Sequence, residues 1–186
     1  MSTPAATVAW ATALLDQLGI PHMVVGSFAS SAHGLPRTTQ DIDVVIDPSA
    51  SQLVALVAAI DPDRFYVDAD AARDALRRRT MFNVIDMSNG WKLDLVIRKA
   101  TPHAIEELRR RVIGTVAGVA APLATAEDVI LAKLGWAREG ASDRQLADVA
   151  GILATRGAQL DRAYLERWIG ELDLDELWQR AQALAS

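Results

Sequence analysis

Three aspartates have the residue type and spacing that could do chemistry. Asp41 and Asp43 stand one residue apart in the run GLPRTTQDIDVVID, and Asp94 stands alone in a later apolar run, KLDLVI. Because side chains alternate along a strand, Asp41 and Asp43 would share one face while Ile42 and Val44 point to the other. Two carboxylates on one strand face repel each other unless a positive charge lies close to them.

A bound divalent cation is one source of that charge. If the two predicted strands are neighbours in a sheet, Asp41, Asp43 and Asp94 meet at one end of it, and Mg²⁺ (or Mn²⁺) favours such oxygen ligands together with substrate phosphates. Upstream, Gly26 and Ser27 lie where a predicted strand leads into a helix, so their backbone N–H groups could hold a phosphate. These features predict a site for a metal-bound nucleoside triphosphate. An alternative stays open, in which Asp94 pairs with Lys92 or with an arginine at a sheet edge.

Composition bounds the class of protein. The chain has 186 residues, 51% of them hydrophobic, which is enough for a substantial core. It has no cysteine and only three histidines, which excludes a disulfide framework and disfavours a zinc site. The formal net charge of -5 argues against a broad basic surface that coats nucleic acid. No apolar run reaches membrane-spanning length and the start lacks a basic signal region, so we expect a cytoplasmic protein with no membrane partner.

The hydrophobic pattern predicts an α+β fold followed by helices. Helical spacing over residues 5–18 ends at Gly19, and a short strand follows that ends in Gly26 and Ser27. Two β-rich runs joined through residues 88–90 predict a hairpin that carries Asp94. From about residue 125 the period is helical throughout. We therefore predict an α/β core at 1–122 and a helical region at 123–186 packed on it.

Arginine accounts for most of the positive charge and occurs in two clusters, at residues 77–79 and 109–111. Both clusters lie in segments of helical character. Such runs indicate a solvated helix face or, alternatively, a rim that contacts phosphate groups. The second interpretation favours a nucleic-acid acceptor.

The order of these motifs carries a family resemblance. The stretch VVGSFASSAHGLPRTTQDIDVVI followed by KLDLVI resembles the polymerase-β-like nucleotidyltransferase superfamily, and within it the abortive-infection (AbiEii-type) nucleotidyltransferase toxins. In that group a later Lys and an Arg-x-x-x-Asp follow on C-terminal helices, and Lys133, Arg144 and Asp148 stand here in matching order. The resemblance covers roughly residues 20–155. It implies a mixed β-sheet flanked by helices, with a C-terminal helical part.

The resemblance also implies a role for each matching residue. Gly26 and Ser27 would hold triphosphate oxygens, and the aspartates would bind Mg²⁺ or Mn²⁺, with Asp94 as the third acid. Positive side chains would neutralise the phosphates. The implied catalytic residues are Asp41, Asp43, Asp94, Lys133 and Asp148, and the implied nucleotide-binding residues are Gly26, Ser27, Arg37, Thr39, Lys133 and Arg144.

Three functional hypotheses follow. The first is a metal-dependent nucleotidyltransferase that moves NMP from an NTP to a hydroxyl of an RNA 3′ end such as tRNA, a protein or a small molecule. The second is a non-catalytic binding protein with the same fold, such as one half of a toxin–antitoxin pair. The third is a structural domain with fortuitous acids. The presence of all three aspartates favours the enzyme, and a toxin role would add a cognate toxin or antitoxin partner.

Overall fold

The computed structural model of this protein describes residues 4–36, 38–140 and 143–185. In chain order the elements are α1 (Pro4–Gln17), β1 (His22–Val24), α2 (Gly26–His33), β2 (Asp41–Ile46), α3 (Ala50–Ala59), β3 (Phe65–Val67), α4 (Ala69–Arg78), β4 (Met81–Asp86), β5 (Lys92–Ile97), α5 (Pro102–Arg110), β6 (Val112–Val116), β7 (Val119–Leu123), α6 (Ala126–Gly140), α7 (Asp143–Arg156), α8 (Arg162–Glu171) and α9 (Asp175–Ala185). None of the helices in these ranges has the length and apolar character that a membrane span requires.

The strands of the described residues form one mixed sheet in the order β3-β4-β5-β2-β1-β7-β6. Strands β2 and β5 run parallel at its centre, and β1 runs antiparallel to β2. The predicted α+β fold with a mixed sheet is confirmed. The predicted hairpin is also present, as the antiparallel pair of β4 and β5. Because β2 and β5 are parallel, their first residues lie at the same end of the strands, on one side of the sheet.

Alternation along β2 separates the core from the acids. Ile42, Val44 and Ile46 are each at most 1% exposed, while Asp41 and Asp43, which alternate with them, are half-buried.

Several helices in this part of the chain begin at a polar cap whose side chain accepts a backbone N–H, as expected at a helix start. These caps are Ser49, Asp68 and Thr101, which precede α3, α4 and α5.

The chain divides into two compact units. The first comprises Met1–Phe28 and Thr38–Ala124, and holds the whole sheet with α1, α3, α4 and α5. The second comprises Ala29–Arg37 and Thr125–Ser186, and holds helices α6 to α9. The division falls within α2. The second unit thus takes in a segment from early in the chain.

Two details of the local prediction need correction. The first strand does not extend to Gly26 and Ser27, because β1 ends at Val24 and these two residues begin α2. Gly26 has φ +62°, a left-handed conformation that interrupts an extended chain. In addition, β3, β6 and β7 were not predicted. They are strands of three to five residues, too short for a periodic pattern to reveal.

Candidate active site

Asp43 and Asp94 lie opposite each other across the central parallel strands. In the register of β2 and β5, Asp43 is the partner of Asp94 and Asp41 is the partner of Lys92. Partners in register project from the same face of a sheet, so all four side chains share one face. They also share one edge, because Asp41 and Lys92 are the first residues of their strands. The structure therefore brings the three predicted acids together, with a lysine among them.

Gly26 closes against one of these acids. The Val25 N–H donates to the Asp43 carbonyl oxygen at 2.9 Å, which places the start of α2 beside Asp43. A Cβ atom at position 26 would lie 2.7 Å from Asp43 Cγ and 3.0 Å from its Cβ. Because no side chain fits there, only glycine lets the helix start approach the carboxylate so closely. Ser27 is the second residue of the same helix and is half-buried.

Lys92 supplies positive charge to the acidic cluster, which is formed by Asp41, Asp43 and Asp94. Its Nζ lies 3.3 Å from Asp41 Oδ1 and 3.2 Å from Asp94 Oδ2. The hydrogen bond to Asp94 raises the pKa of Lys92 above its ordinary value, against the opposing effect of burial, so the ammonium form is favoured. The ion pair between Asp94 and Lys92, which the sequence left open as an alternative, is thus present.

Two further side chains orient the acids. Asn83 on β4 is the register partner of Asp94, and its Nδ2 donates to Asp94 Oδ1. The hydroxyl of Thr39 donates to the Asp41 carbonyl oxygen at 3.2 Å and accepts from the Asp41 N–H at 3.3 Å. These bonds constrain the Asp94 carboxylate and the chain that leads into β2. Asp94 is 6% exposed, so its orientation is also limited by the surrounding protein.

The donor chemistry of this cluster fits a hard divalent cation, because its carboxylates offer only oxygen ligands. The geometry around Lys92 limits that fit. Within the described residues, no group of three acidic or histidine side chains is arranged to hold a metal ion. The ammonium of Lys92 lies within ion-pair distance of both Asp41 and Asp94. A cation shared by these two acids would require Lys92 to move.

Comparison with solved structures identifies the fold. The chain matches the antibiotic-resistance factor ANT(2'')-Ia with a TM-score of 0.59 at 15% identity, covering 97% of this chain and 99% of that one. It matches a nucleotidyltransferase-like protein from Paracoccidioides brasiliensis with a TM-score of 0.58 at 15% identity, covering 94% and 91%. It also matches the lincosamide antibiotic adenylyltransferase LnuA with a TM-score of 0.54 at 9% identity, covering 82% and 98%.

The chain has a nucleotidyltransferase fold. No protein-family model and no curated protein matches the sequence. The predicted fold is confirmed by the likeness to the solved structures.

The predicted site residues of the C-terminal part lie in the second unit of this nucleotidyltransferase fold. Lys133 on α6 donates to Asp148 Oδ2 at 2.6 Å and to Gln145 Oε1 at 3.1 Å, both on α7. The Lys133 side chain is 7% exposed and that of Asp148 is 15% exposed, which makes this a largely buried ion pair. Arg144 lies exposed on α7. Arg37 falls outside the described residues.

The two arginine clusters make local contacts. Arg77 and Arg78 both pair with Asp74 on the same helix, α4. The Nη1 atom of Arg79 donates to the Arg98 carbonyl oxygen at 2.7 Å, and that of Arg111 donates to the Leu108 carbonyl oxygen at 2.7 Å. The Asp74 pairs fit the interpretation of residues 77–79 as a solvated helix face. The Arg111 bond is with a carbonyl in the last turn of α5, where basic side chains stabilise the helix end.

The sequence analysis assigned no site role to two side chains that contact the acids, Lys92 and Asn83. Lys92 was considered only as a competing partner of Asp94, and Asn83 was not considered. A usable signal was present for both. Lys92 precedes Asp94 by two residues, so strand alternation puts both on one face. The turn at residues 88–90 sets the hairpin register that pairs Asn83 with Asp94.

Proposed function

We propose that this protein is a metal-dependent nucleotidyltransferase that transfers NMP from an NTP to a hydroxyl acceptor. The observation that carries the proposal is the opposition of Asp43 and Asp94 on adjacent parallel strands, with the Gly26 backbone closed against Asp43. The nucleotidyltransferase fold supports it. In the proposed reaction the acceptor oxygen forms a bond to the α-phosphorus, the bond from that phosphorus to the α,β-bridging oxygen breaks, and pyrophosphate leaves.

The residues of the first unit divide this work. Asp41 and Asp43 would hold Mg²⁺ or Mn²⁺, which neutralises phosphate charge and polarises the phosphoryl oxygens when it is bound. Asp94 would accept the proton of the acceptor hydroxyl or complete the metal ligands. Gly26 and Ser27 would bind triphosphate oxygens through the N–H groups at the start of α2.

The remaining candidates have supporting roles in this proposal. Thr39 would orient Asp41, which its two hydrogen bonds to the Asp41 backbone favour. Arg37 and Arg144 would neutralise phosphate charge. Lys133 would do the same, with Asp148 as its charged partner, since the two form a salt bridge.

The proposed hydroxyl acceptor belongs to one of three classes: an RNA 3′ end such as tRNA, a protein, or a small molecule. The small-molecule class draws support from two neighbours, ANT(2'')-Ia bound to adenylyl-2''-tobramycin and LnuA bound to lincomycin. The toxin–antitoxin role, with a cognate partner, rests on the motif resemblance. It predicts that expression slows growth and that Asp43→Ala abolishes the effect.

Label transfer tests the reaction directly. Purified protein is incubated with Mg²⁺ and each α-labelled NTP in turn, beside total tRNA, cell lysate, tobramycin or lincomycin. We expect label on one acceptor class with the wild type and none with Asp41→Asn/Asp43→Asn. Asp70→Asn is the control for the loss of a carboxylate outside the site, because the Asp70 side chain is 88% exposed on α4.

The outcomes separate the enzyme from its alternative. Transfer that needs Asp41 and Asp43 supports the transferase and identifies both nucleotide and acceptor. NTP binding that depends on a divalent cation, without transfer to any acceptor, would favour the non-catalytic binding protein. If the wild type neither binds NTP nor transfers label, the acidic cluster is not a nucleotide site.

A further inference from the structure

Lys92 holds a central position among the acids of the candidate site. Its Nζ contacts one oxygen of Asp41 at 3.3 Å and one of Asp94 at 3.2 Å, and so joins carboxylates that belong to different strands. Strand register accounts for the position, because Lys92 is the partner of Asp41 and precedes Asp94 by two residues on the same face.

The three side chains differ in their access to solvent. The Asp94 side chain is 9% exposed, whereas those of Asp41 and Lys92 are 48% and 38% exposed. A carboxylate as buried as Asp94 requires a positive partner or hydrogen bonds. Asn83 donates one hydrogen bond to it, and Lys92 provides the charge. The lysine can leave towards solvent, but Asp94 then needs another cation.

A tethered ammonium is an effective competitor for a cation site. Because Lys92 is part of the same strand as Asp94, its local concentration at the carboxylates is set by the chain and does not fall on dilution. A free divalent cation that binds Asp41 and Asp94 must therefore displace a partner that is always present. Phosphate groups would change this balance, because they offer the displaced ammonium a new anionic partner.

We propose that Lys92 is the resident counter-ion of the acidic cluster and makes divalent-cation binding depend on the nucleotide. Without nucleotide, Lys92 keeps the cation affinity of Asp41 and Asp94 low. With nucleotide, Lys92 transfers from these carboxylates to a phosphate oxygen and leaves them to the cation. This role rests on the proposed function, whose nucleotide site it regulates. Coupling of this kind is reciprocal, so cation and nucleotide each strengthen binding of the other.

Equilibrium binding to Lys92 variants tests the proposal. Free Mn²⁺ is measured by electron paramagnetic resonance in titrations of the wild type, Lys92→Met and Lys92→Arg, without nucleotide. Lys99→Met is the matched control, since it removes the same charge from an exposed lysine outside the cluster. Lys92→Gln serves as a second neutral variant in case Lys92→Met does not fold. Thermal unfolding monitored by circular dichroism checks the fold of each variant.

We expect two changes of opposite direction in Lys92→Met. Its Mn²⁺ affinity rises about tenfold or more over the wild type, within the usual range of couplings between sites. Its affinity for α,β-methylene-ATP in the presence of Mn²⁺ falls, because the phosphate loses the ammonium. Lys92→Arg stays near the wild type in Mn²⁺ affinity, and Lys99→Met changes neither. A purely structural role of Lys92 would not raise one affinity and lower the other.

The overturning results are distinct from those of the proposed reaction. If neutral Lys92 variants bind Mn²⁺ no more tightly than Lys99→Met, or bind the nucleotide as tightly as the wild type, Lys92 is not the counter-ion we infer. Label transfer by the wild type would still hold in that case. Conversely, the expected affinities without any label transfer would support the role of Lys92 and count against the reaction alone.

Discussion

Asp43 on β2 and Asp94 on β5 are direct partners in the parallel register at the centre of the sheet. Two carboxylates in this relationship can act on one ligand, because both project from the same face. The relationship places the proposed chemistry on the central strands of the sheet. It also makes the contribution of each acid testable by single substitution.

Asp43→Asn and Asp94→Asn should each lower label transfer on the order of 10²-fold or more, since loss of one charged group that stabilises a transferring phosphoryl group has effects of that size. Folding should be retained, because asparagine keeps the size of the side chain. Transfer rates and thermal unfolding measure the two effects. Asp70→Asn is the control and should transfer label at the wild-type rate. Full activity of Asp94→Asn would show that the Asp94 carboxylate has no role in the reaction.

Gly26→Ala should destabilise the protein and reduce activity. The left-handed backbone at Gly26 costs any other residue about 1–2 kcal/mol, and the new methyl group would also collide with the Asp43 carboxylate. Urea unfolding gives the change in free energy of unfolding, and label transfer gives the change in activity.

Gly118→Ala is the matched control for this substitution. Gly118 has φ +84°, but a Cβ atom there would meet nothing within 4 Å. It should therefore show the backbone cost alone, with activity unchanged. Equal losses of stability in the two variants would mean that contact with Asp43 adds no cost at Gly26.

Asp86 should make stability depend on acid pH. Burial opposes ionisation of this fully buried carboxyl, but hydrogen bonds from Arg64, Ser88 and Thr7 outweigh it and lower the pKa of Asp86 from 3.8 to about 2. Because the pKa is lower in the folded state, the stabilisation is complete above pH 3.8 and is lost as the pH falls towards 2. The shift corresponds to about 2 kcal/mol.

Urea unfolding between pH 6 and pH 2 measures this contribution. Asp86→Asn cannot ionise, so the difference in free energy of unfolding between wild type and variant should shrink as the pH falls below about 4. A gap between wild type and Asp86→Asn that is constant with pH would contradict the lowered pKa.

Lys133→Met should destabilise the second unit by about 3–5 kcal/mol, the usual cost of removing one partner from a buried ion pair. The variant leaves the Asp148 carboxylate, which is 15% exposed, without the Lys133 ammonium, its partner at 2.6 Å. The double variant Lys133→Met/Asp148→Leu should lose less, because no charge then remains at that position. A double-mutant cycle from urea unfolding measures the coupling, and additive losses would contradict it.

Local patterns in the sequence determined much of the fold. Alternation in DIDVVI put Asp41 and Asp43 on one face and buried Ile42, Val44 and Ile46 on the other. The turn at residues 88–90 predicted the hairpin, and the helical period after residue 125 predicted the helices α6 to α9. These features depend on neighbours a few residues apart, so periodicity and turn chemistry reveal them.

Only the tertiary structure decided how the site is composed. The pairing of β2 with β5 joins residues about 50 positions apart, and it makes Asp43 the partner of Asp94 and Asp41 the partner of Lys92. No local pattern encodes that register, because it depends on which strands become neighbours when the core is buried. The same holds for Gly26 against Asp43 and for Lys133 against Asp148. The sequence by itself determined which residues carry charge, whereas long-range packing decided that a lysine lies between the acids.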